Sequence, residues 1–333
     1  MSIEIRHIPD RLDSPLSGVL RSWEMLLVIV AVLVFTFNSF ASPHFLDVWT
    51  LSDMTFNFTE KALIALPMAL LIISGEIDLS VAAILALSST FMGLAMSFGF
   101  GTPVLVLVGA VVGLACGAFN GALVTGLKLP SIVVTIGTMS LFRGVAFIIL
   151  GDQVYKNYPE SFDYFGQGYV FWVFSFELVL FLIFAAVFAF LLHFTSFGRR
   201  LYFVGRNATS AQFSGVNVKR AKFILFCLTG VMSGVASVLL TSRLGSTRPS
   251  IAQGFELEAI TMVVLGGVAI TGGAGTIPGV VLAALIMGLV TFGFGLLNVP
   301  GIVMSIFVGL MLIVVIALPI LWRRFVWVMK NDK

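Results

Sequence analysis

The stretch Pro103–Leu127, PVLVLVGAVVGLACGAFNGALVTGL, decides the fold class of this chain. It runs for 25 residues without a charged side chain, whereas a helix that crosses the apolar part of a bilayer needs only about 20 mostly apolar residues. In lipid every backbone polar group must be hydrogen-bonded within the protein, and a helix achieves this by itself. We therefore predict that this stretch is a transmembrane helix.

Glycines recur at every fourth position along the stretch, at Gly109, Gly113, Gly117 and Gly121. At 3.6 residues per turn they lie along one face of the helix. Small residues let helix backbones approach closely in lipid, so we predict that this face is buried against another helix. Packing within one subunit is the simpler interpretation, and a dimer interface or the wall of a translocation path is the alternative.

The composition of the whole chain points to a membrane protein. Of its 333 residues 59% are hydrophobic and 11% charged, and the mean hydropathy is +1.09, whereas soluble chains are about 45–50% apolar and about 25% charged. These values exclude a soluble enzyme, a disordered regulator and a nucleic-acid-binding protein. Cys116 and Cys227 lie within apolar runs, so neither a disulfide framework nor a metal site is expected, and no cofactor is predicted.

Nine further apolar stretches resemble the first, although two of them are short. The ten predicted spans are Met25–Ala41, Ala62–Ser74, Leu79–Phe98, Pro103–Leu127, Pro130–Leu150, Val170–Phe194, Phe223–Leu240, Leu257–Ile270, Ile277–Leu297 and Ile302–Leu321. The sequence thus predicts an all-α polytopic membrane protein with about ten transmembrane helices. A single transmembrane domain, 25–321, lies between an N-terminal segment, 1–24, and a C-terminal tail, 322–333.

The distribution of lysine and arginine predicts the orientation. An even number of spans places both termini on one side of the membrane. If that side is the cytoplasm, the cytoplasmic segments hold 14 of the 19 basic residues, as the positive-inside rule requires. We therefore predict that both termini and the basic loop 198–222 are cytoplasmic.

The loop 198–222 contains a candidate short helix. Asn207 is a good N-cap and Gly215 a good residue to follow the helix end. A helix of about two turns does not persist alone in water, so it must pack on the membrane base or on a partner. Movement of such a helix would move the sixth and seventh spans, to which it is connected. The simpler alternative is a basic loop that only sets the topology.

Several polar residues lie within or beside the spans. Ionisable groups in spans are costly and mark candidate sites; those at the predicted outer face are Arg143, Glu177, Arg243, Arg248, Glu256 and Glu258. They are interpreted either as snorkelling side chains with local ion pairs or as a charged rim, Arg248, Glu256 and Glu258, that docks a soluble partner. Nearer the middle of the membrane, four groups line a weakly polar path or hydrogen-bond across helices: Asn120, Thr135, Thr138 and Ser140.

Two glycine-containing turns join neighbouring spans. In Ser74–Ser80, Gly75 allows the turn, and Asp78 or Ser80 can accept amide hydrogens at the next helix start. The second turn, 266–275, contains Gly272, Gly273 and Gly275 but lacks the Lys-Ser/Thr pair of a P-loop. We interpret it as a close-packed membrane turn.

Four stretches together resemble the sugar-type permease family of bacterial ATP-binding-cassette importers. They are Ser74–Ser80 (SGEIDLS), Gly117–Gly137 (GAFNGALVTGLKLPSIVVTIG), Gly198–Val218 (GRRLYFVGRNATSAQFSGVNV) and Leu265–Gly279 (LGGVAITGGAGTIPG). Each is modest evidence, but in this order and at this spacing they are specific. The resemblance extends from about Thr59 to Leu321.

This resemblance implies a multi-pass permease subunit in the bacterial inner membrane. Its expected partners are a cytoplasmic ATPase, a periplasmic sugar-binding protein and a second permease subunit, the same or a paralogue. The family's coupling region corresponds to Asn207–Gly215, and the residues expected to contact the ATPase are Arg206, Asn207, Ala208, Ser210, Ala211, Phe213 and Gly215. Glu76 stands where the family commonly has glycine, and Arg206 where it often has a small residue.

The chain has no ATP site of its own, because no lysine follows a glycine and GxxxxGK[ST] is therefore absent. We expect a transport subunit, not an enzyme; neither H-E-x-x-H nor G-x-S-x-G is present. The resemblance implies a monosaccharide as substrate, such as a pentose, a deoxyhexose like rhamnose, or a polyol-like signal molecule. An ion- or proton-coupled sugar carrier is the alternative, against which the absence of an evident midplane carboxylate argues.

Overall fold

The computed structural model describes residues 22–151 and 153–331. The predicted N-terminal segment, 1–24, lies outside the described residues as far as residue 21, and so do residues 332 and 333 of the predicted tail. Within the described residues the chain forms fourteen helices and four short strands.

The helices are α1 Trp23–Ala41, α2 Val48–Phe56, α3 Thr59–Ile73, α4 Val81–Ser97, α5 Thr102–Gly126, α6 Ser131–Leu150, α7 Glu160–Gln167, α8 Phe176–His193, α9 Ser196–Arg206, α10 Ala208–Phe213, α11 Val218–Leu244, α12 Phe255–Leu265, α13 Ile277–Leu296 and α14 Gly301–Asn331. The strands pair antiparallel as β1 Tyr155–Lys156 with β4 Ser246–Thr247, and as β2 Tyr169–Phe171 with β3 Phe174–Ser175.

The prediction of an all-α polytopic membrane protein is confirmed. Each predicted span has a corresponding helix, namely α1, α3, α4, α5, α6, α8, α11, α12, α13 and α14. Six helices of the described chain are long and apolar enough to cross a membrane, namely α1, α5, α6, α8, α11 and α13. The pair α2–α3, bent by 50°, makes a seventh if it crosses as one broken span, and α4 and 301–315 are shorter apolar helices. The number of about ten crossings and the side of the termini stay predictions.

Several predicted boundaries were wrong; the tenth span, for example, was predicted to end at Leu321, but α14 continues to Asn331. The sixth span was predicted to begin at Val170, but 169–175 form a β-hairpin and α8 begins at Phe176, because Ser175 Oγ accepts the Leu178 amide at 3.2 Å and caps the helix. The seventh begins five residues earlier than predicted, at Val218. The eighth ends at Leu265, since the chain turns at Gly267, whose φ is +86°.

The closest helix packing joins α5 to α11. A Cβ added at Gly113 would overlap the Gly230 carbonyl oxygen, and one added at Gly234 would overlap that of Gly109. Gly117 in turn packs on the Phe226 carbonyl oxygen. The glycine face of α5 is therefore covered by a helix of the same chain.

The connections gather at two opposite ends of the helices. At the end we call the coupling end, α9, α10 and the turns 74–80, 127–130 and 266–276 meet; the Gly273 amide, for example, donates to the Ile73 carbonyl at 2.8 Å. At the end we call the rim end, 151–175 meets 245–254, and the Tyr158 and Thr247 hydroxyls lie 2.6 Å apart. The described loops that were predicted to be cytoplasmic thus share one end.

Candidate functional site: the coupling elbow and the rim

A single asparagine forms the elbow between α9 and α10. The Asn207 backbone is extended, with φ −160° and ψ 100°, and its Oδ1 accepts the Ser210 amide at 2.9 Å. The residue therefore ends α9 and caps α10 at once. Gly215, with φ +83°, follows the end of α10. The predicted short helix between Asn207 and Gly215 is confirmed, and its role stays a prediction.

The helix α10 is anchored on one side and open on the other. Ala211 is fully buried, whereas the Phe213 side chain is 88% exposed. Arg206 and Ser210 are also exposed, and Ala208 is partly buried. An exposed aromatic ring on an anchored helix is typical of a residue that anchors a protein interface.

The helix α9 rests directly on two motif turns. A Cβ added at Gly205 would overlap the Ile73 carbonyl oxygen, and Gly273 lies beside it. The Tyr202 hydroxyl donates to the Gly275 carbonyl at 2.7 Å; burial raises the pKa of this phenol, so it keeps its proton. The helix α9 is therefore in direct contact with both turns.

The turn 74–80 is the point at which the motifs meet. Asp78 Oδ1 accepts from the Ser80 amide at 2.8 Å and from the Ser80 hydroxyl at 2.6 Å. Asn120 Nδ2, on α5, donates to Ser80 Oγ at 2.8 Å. All three side chains are fully buried. The predicted capping is thus only partial, because Ser80 itself makes no side-chain bond to the first turn of α4. The turn is entered through Gly75, at φ +87°.

Two of the four polar residues predicted near the middle of the membrane reach the turn 74–80: Asn120, and Thr135, whose hydroxyl lies 3.5 Å from the Ile77 carbonyl oxygen. Asn120 bonds the turn 74–80, while Thr135 donates to the Ser131 carbonyl of its own helix at 2.8 Å. The Thr138 hydroxyl contacts the Thr135 carbonyl at 3.4 Å. Ser140 is exposed, and its hydroxyl contacts a carbonyl of α6 at 3.4 Å. Gly117 and Gly121 pack against α11.

An ion pair connects the turn 74–80 to the helix that follows α10. Lys222, near the start of α11, is bonded to Glu76, and both side chains are mostly buried. Glu76 is one of the two positions at which this chain departs from the family pattern. The residue that departs from the family pattern at this position, Glu76, therefore has an ion-pair partner, Lys222.

At the rim end, the three residues predicted to dock a partner differ in exposure. Arg248 is exposed and Glu256 is partly buried. Glu258 pairs with Lys61 at 2.6 Å, and Lys61 Nζ lies 4.7 Å from the centroid of the Phe255 ring. The charged rim is thus partly neutralised within the chain.

Arg143 is neither a free snorkelling group nor part of the exposed rim. Its Nη1 donates to the Pro249 carbonyl at 2.8 Å and to the Ile251 carbonyl at 2.7 Å. The guanidinium therefore holds the segment before α12 in place. This contact joins residues more than 100 positions apart, so local sequence patterns carried no signal for it.

A buried charge cluster lies below the rim; Glu177 and Arg243 were among the ionisable groups noted in the sequence, whereas Glu60 was not. Glu60 is fully buried, and its Oε1 accepts from Arg243 Nε at 2.7 Å. Glu177 is also fully buried, and neither of its carboxylate oxygens has a hydrogen-bond partner among the described residues. The one available signal was the Glu60-Lys61 pair directly before an apolar run.

The chain matches a known permease family over most of its length. The family described as "Branched-chain amino acid transport system / permease component" matches residues 50–316. The Autoinducer 2 import system permease protein LsrD of Salmonella typhimurium is 34% identical over 303 residues, which cover 89% of this chain and 90% of that protein. The protein of the same name from Enterobacter sp. is 33% identical over 301 residues, covering 89% and 92%.

The same name is carried by a Yersinia enterocolitica protein, 33% identical over 300 residues, which cover 88% of this chain and 90% of that protein. No solved structure shows a significant match to the chain. Family match, relatives and the four motifs agree with the helical membrane fold. The chain therefore belongs to this permease family and is a multi-pass inner-membrane permease of the sugar-type ATP-binding-cassette importers.

Proposed function

We propose that this chain and a second permease subunit, identical or paralogous, form the path through which a binding-protein-dependent importer carries a small, neutral, multiply hydroxylated solute. A permease of this class works with an ATPase and a binding protein. The candidate solutes are a monosaccharide, such as a pentose or a deoxyhexose like rhamnose, and the autoinducer 2 that the relatives' names specify.

The observation that carries this proposal is the elbow at Asn207. The helix α10 exposes Phe213 for a partner and is anchored by the buried Ala211. Because the chain lacks a Walker motif, the force must come from another polypeptide. We propose that this force acts on the coupling residues within 206–215.

The proposed movement follows the contacts of the coupling end. When the ATPase pair closes on ATP, it displaces α10, and the Asn207 elbow passes the motion to α9. From α9 the motion reaches Ile73 and Gly273 through close backbone contacts, and through Lys222 it reaches Glu76. The two permeases then exchange inward-open and outward-open states, whose populations the ATPase biases.

The test replaces Phe213 by serine in the complete importer reconstituted in vesicles. We expect loss of solute uptake and of ATPase stimulation by the loaded binding protein, because α10 loses its aromatic anchor. The control is Phe98→Ser, whose side chain is 72% exposed after α4 and away from the coupling end. Normal uptake by the Phe213 variant would defeat the coupling assignment.

A secondary carrier is the second candidate, and one observation favours it. The sequence showed no evident carboxylate near the membrane midplane, but the structure buries the carboxylates of Glu60, Asp78 and Glu177, and such groups serve proton relays in carriers. Against it, Glu60 is paired with Arg243 and Asp78 with Ser80. Uptake by vesicles that contain the permeases without an ATPase distinguishes the two functions. Uptake that an uncoupler abolishes would establish the carrier.

The binding protein is used to identify the solute. Rhamnose, a pentose and autoinducer 2 are each tested for an increase in the melting temperature of the binding protein and for ATP-dependent uptake. We expect one of them to satisfy both measurements. A response to none of the three, with uptake of a charged solute instead, would contradict the proposed class.

A further inference from the structure

A cavity of about 520 Å³ opens at the rim end, between α12, α13, α14 and the start of α3. Ligand pockets for small molecules have volumes of about 300–1,000 Å³. Lys61 and Glu258 line the cavity, so it adjoins the proposed docking rim. A solute released there by a binding protein would meet this cavity first.

The charges of the cavity are balanced within the chain. Lys61 Nζ and Glu258 Oε2 lie 2.6 Å apart, and both residues are among the cavity lining. An ion pair that is already formed offers no net charge to a ligand, whereas a phosphorylated or carboxylated solute would need an unpaired cation. The lining therefore favours a neutral ligand.

One side of the cavity offers hydrogen-bond acceptors. Thr261, Thr291 and Ser305 line it, and each donates its hydroxyl hydrogen to a carbonyl of its own helix, at 2.7, 2.8 and 3.2 Å respectively. Thr291 is partly buried and Ser305 exposed, so their oxygen lone pairs remain available to accept from a ligand hydroxyl, whereas Thr261 is buried. The exposed amide of Gln253 adds donors.

The remaining lining is apolar and includes Phe292, Leu296, Met304, Val308 and Leu312. Hydroxyl oxygens facing an apolar wall suit a ring with hydroxyls on one side and C–H groups on the other. Pockets of this type combine apolar surface with a few polar groups that orient the ligand.

Four glycines leave the cavity open, and one of them is Gly254, whose φ is +92°. The others that line the cavity are Gly295, Gly301 and Gly309, and no described heavy atom lies within 4 Å of a Cβ added at any of the four. This differs from Gly113 on α5, where a Cβ would overlap the backbone of α11. The cavity glycines therefore do not serve close packing within the described chain, and a side chain placed there would fill the cavity.

We propose that this cavity is the outer binding site for the transported solute, a neutral, multiply hydroxylated ring with one apolar face. The assignment rests on the proposed function of the chain. The hydroxyls of Thr291 and Ser305 accept from the solute, and the wall around Phe292 packs on its C–H face. Affinity for the solute stays low, because the binding protein supplies capture.

The test is a graded series, Gly309→Ala, Gly309→Leu and Gly309→Phe, in the complete reconstituted importer. Uptake of the solute identified above is expected to fall with side-chain volume, by about tenfold or more for phenylalanine. ATPase stimulation by the loaded binding protein is expected to persist, because the coupling end is untouched. The control series is at Gly137 on α6, where a Cβ also meets no described atom within 4 Å, outside the cavity.

A second pair of variants tests the hydroxyl wall. Thr291→Val removes an acceptor from the cavity, whereas Thr36→Val removes an exposed hydroxyl with the same bond to its own helix. We expect reduced uptake for Thr291→Val alone. Wild-type uptake in the Gly309→Phe variant, with assembly intact, would overturn the cavity assignment and leave the importer function standing. Failure of the wild-type importer to carry any hydroxylated solute would overturn both.

Discussion

At the scale of single residues, two kinds of position control this protein: glycines at which backbones touch, and charges that are buried in pairs. In the α5–α11 contact the backbones of Gly113 and Gly230 leave no room for a methyl group. In the cluster below the rim, the carboxylate of Glu60 depends on one guanidinium, that of Arg243.

Gly113→Ala is expected to destabilise the folded subunit by about 1–3 kcal/mol, because the new Cβ overlaps the Gly230 carbonyl and forces the helices apart. Thermal unfolding in detergent measures the effect. Gly137→Ala is the control; its Cβ meets no described atom within 4 Å, so the helix propensity of alanine should leave stability equal or slightly higher. Equal melting temperatures for both variants would contradict the packing argument.

Arg243→Gln should destabilise the subunit by about 3 kcal/mol, since it leaves the Glu60 carboxylate buried without its cation. Adding Glu60→Gln removes that charge, and the double variant is expected to recover much of the loss. The comparison of melting temperatures for the two single variants and the double variant forms a mutant cycle. Strictly additive effects would show that the ion pair does not couple the two residues.

At the scale of elements, the elbow between α9 and α10 depends on one cap. The helix α10 has six residues, too few to persist without its cap and its packing. The helix α11 also begins at a capping asparagine, Asn217, whose Oδ1 accepts the Arg220 amide at 2.9 Å, but its 27 residues are held by packing along their length.

Asn207→Ala is therefore expected to weaken α10 by about 1 kcal/mol and to lower the number of solute molecules carried per ATP hydrolysed. Asn217→Ala removes an equivalent cap and should change this ratio little. Asn207→Asp keeps the capping oxygen and should restore coupling. If all three variants transport with the wild-type ratio, the elbow does not depend on its cap.

At the scale of the whole molecule, the coupling end works as a unit only if its contacts hold together. The ion pair of Glu76 and Lys222 bridges the turn 74–80 and α11. Together with the contacts of Gly205 and Tyr202, it joins the ends of α3, α4, α9 and α11 at the coupling end.

Glu76→Lys is expected to lower uptake severalfold, because it places two cations together. In this mostly buried pair the repulsion should destabilise the coupling end by about 1 kcal/mol. The exchange Glu76→Lys with Lys222→Glu restores opposite charges and should restore uptake. Uptake by the vesicle-reconstituted importer is the measurement. Failure of the exchanged pair to recover, with normal assembly, would mean that the charges act through other groups.

Sequence reasoning predicted those features that depend on neighbouring residues. The helices that correspond to the ten predicted spans follow from the length of the apolar stretches. The cap at Asn207 follows from its side-chain oxygen, and the turn at Gly75 from the presence of glycine. The same reasoning missed the partner of Glu60, because Arg243 lies 183 positions further along the chain. It also misplaced the start of α8, since an apolar hairpin at 169–175 has the composition of a span.

The amino-acid sequence alone determined that this chain is a membrane protein and roughly where its helices run. It also determined that one face of α5 packs against another helix backbone. These are consequences of hydrophobic length and of glycine spacing, which are local properties. Only the tertiary structure decided that α11 covers that face, that Glu76 meets Lys222, and that α3, α12, α13 and α14 enclose a cavity. Such contacts depend on the angles at which many helices pack together, and no short segment of sequence contains that information.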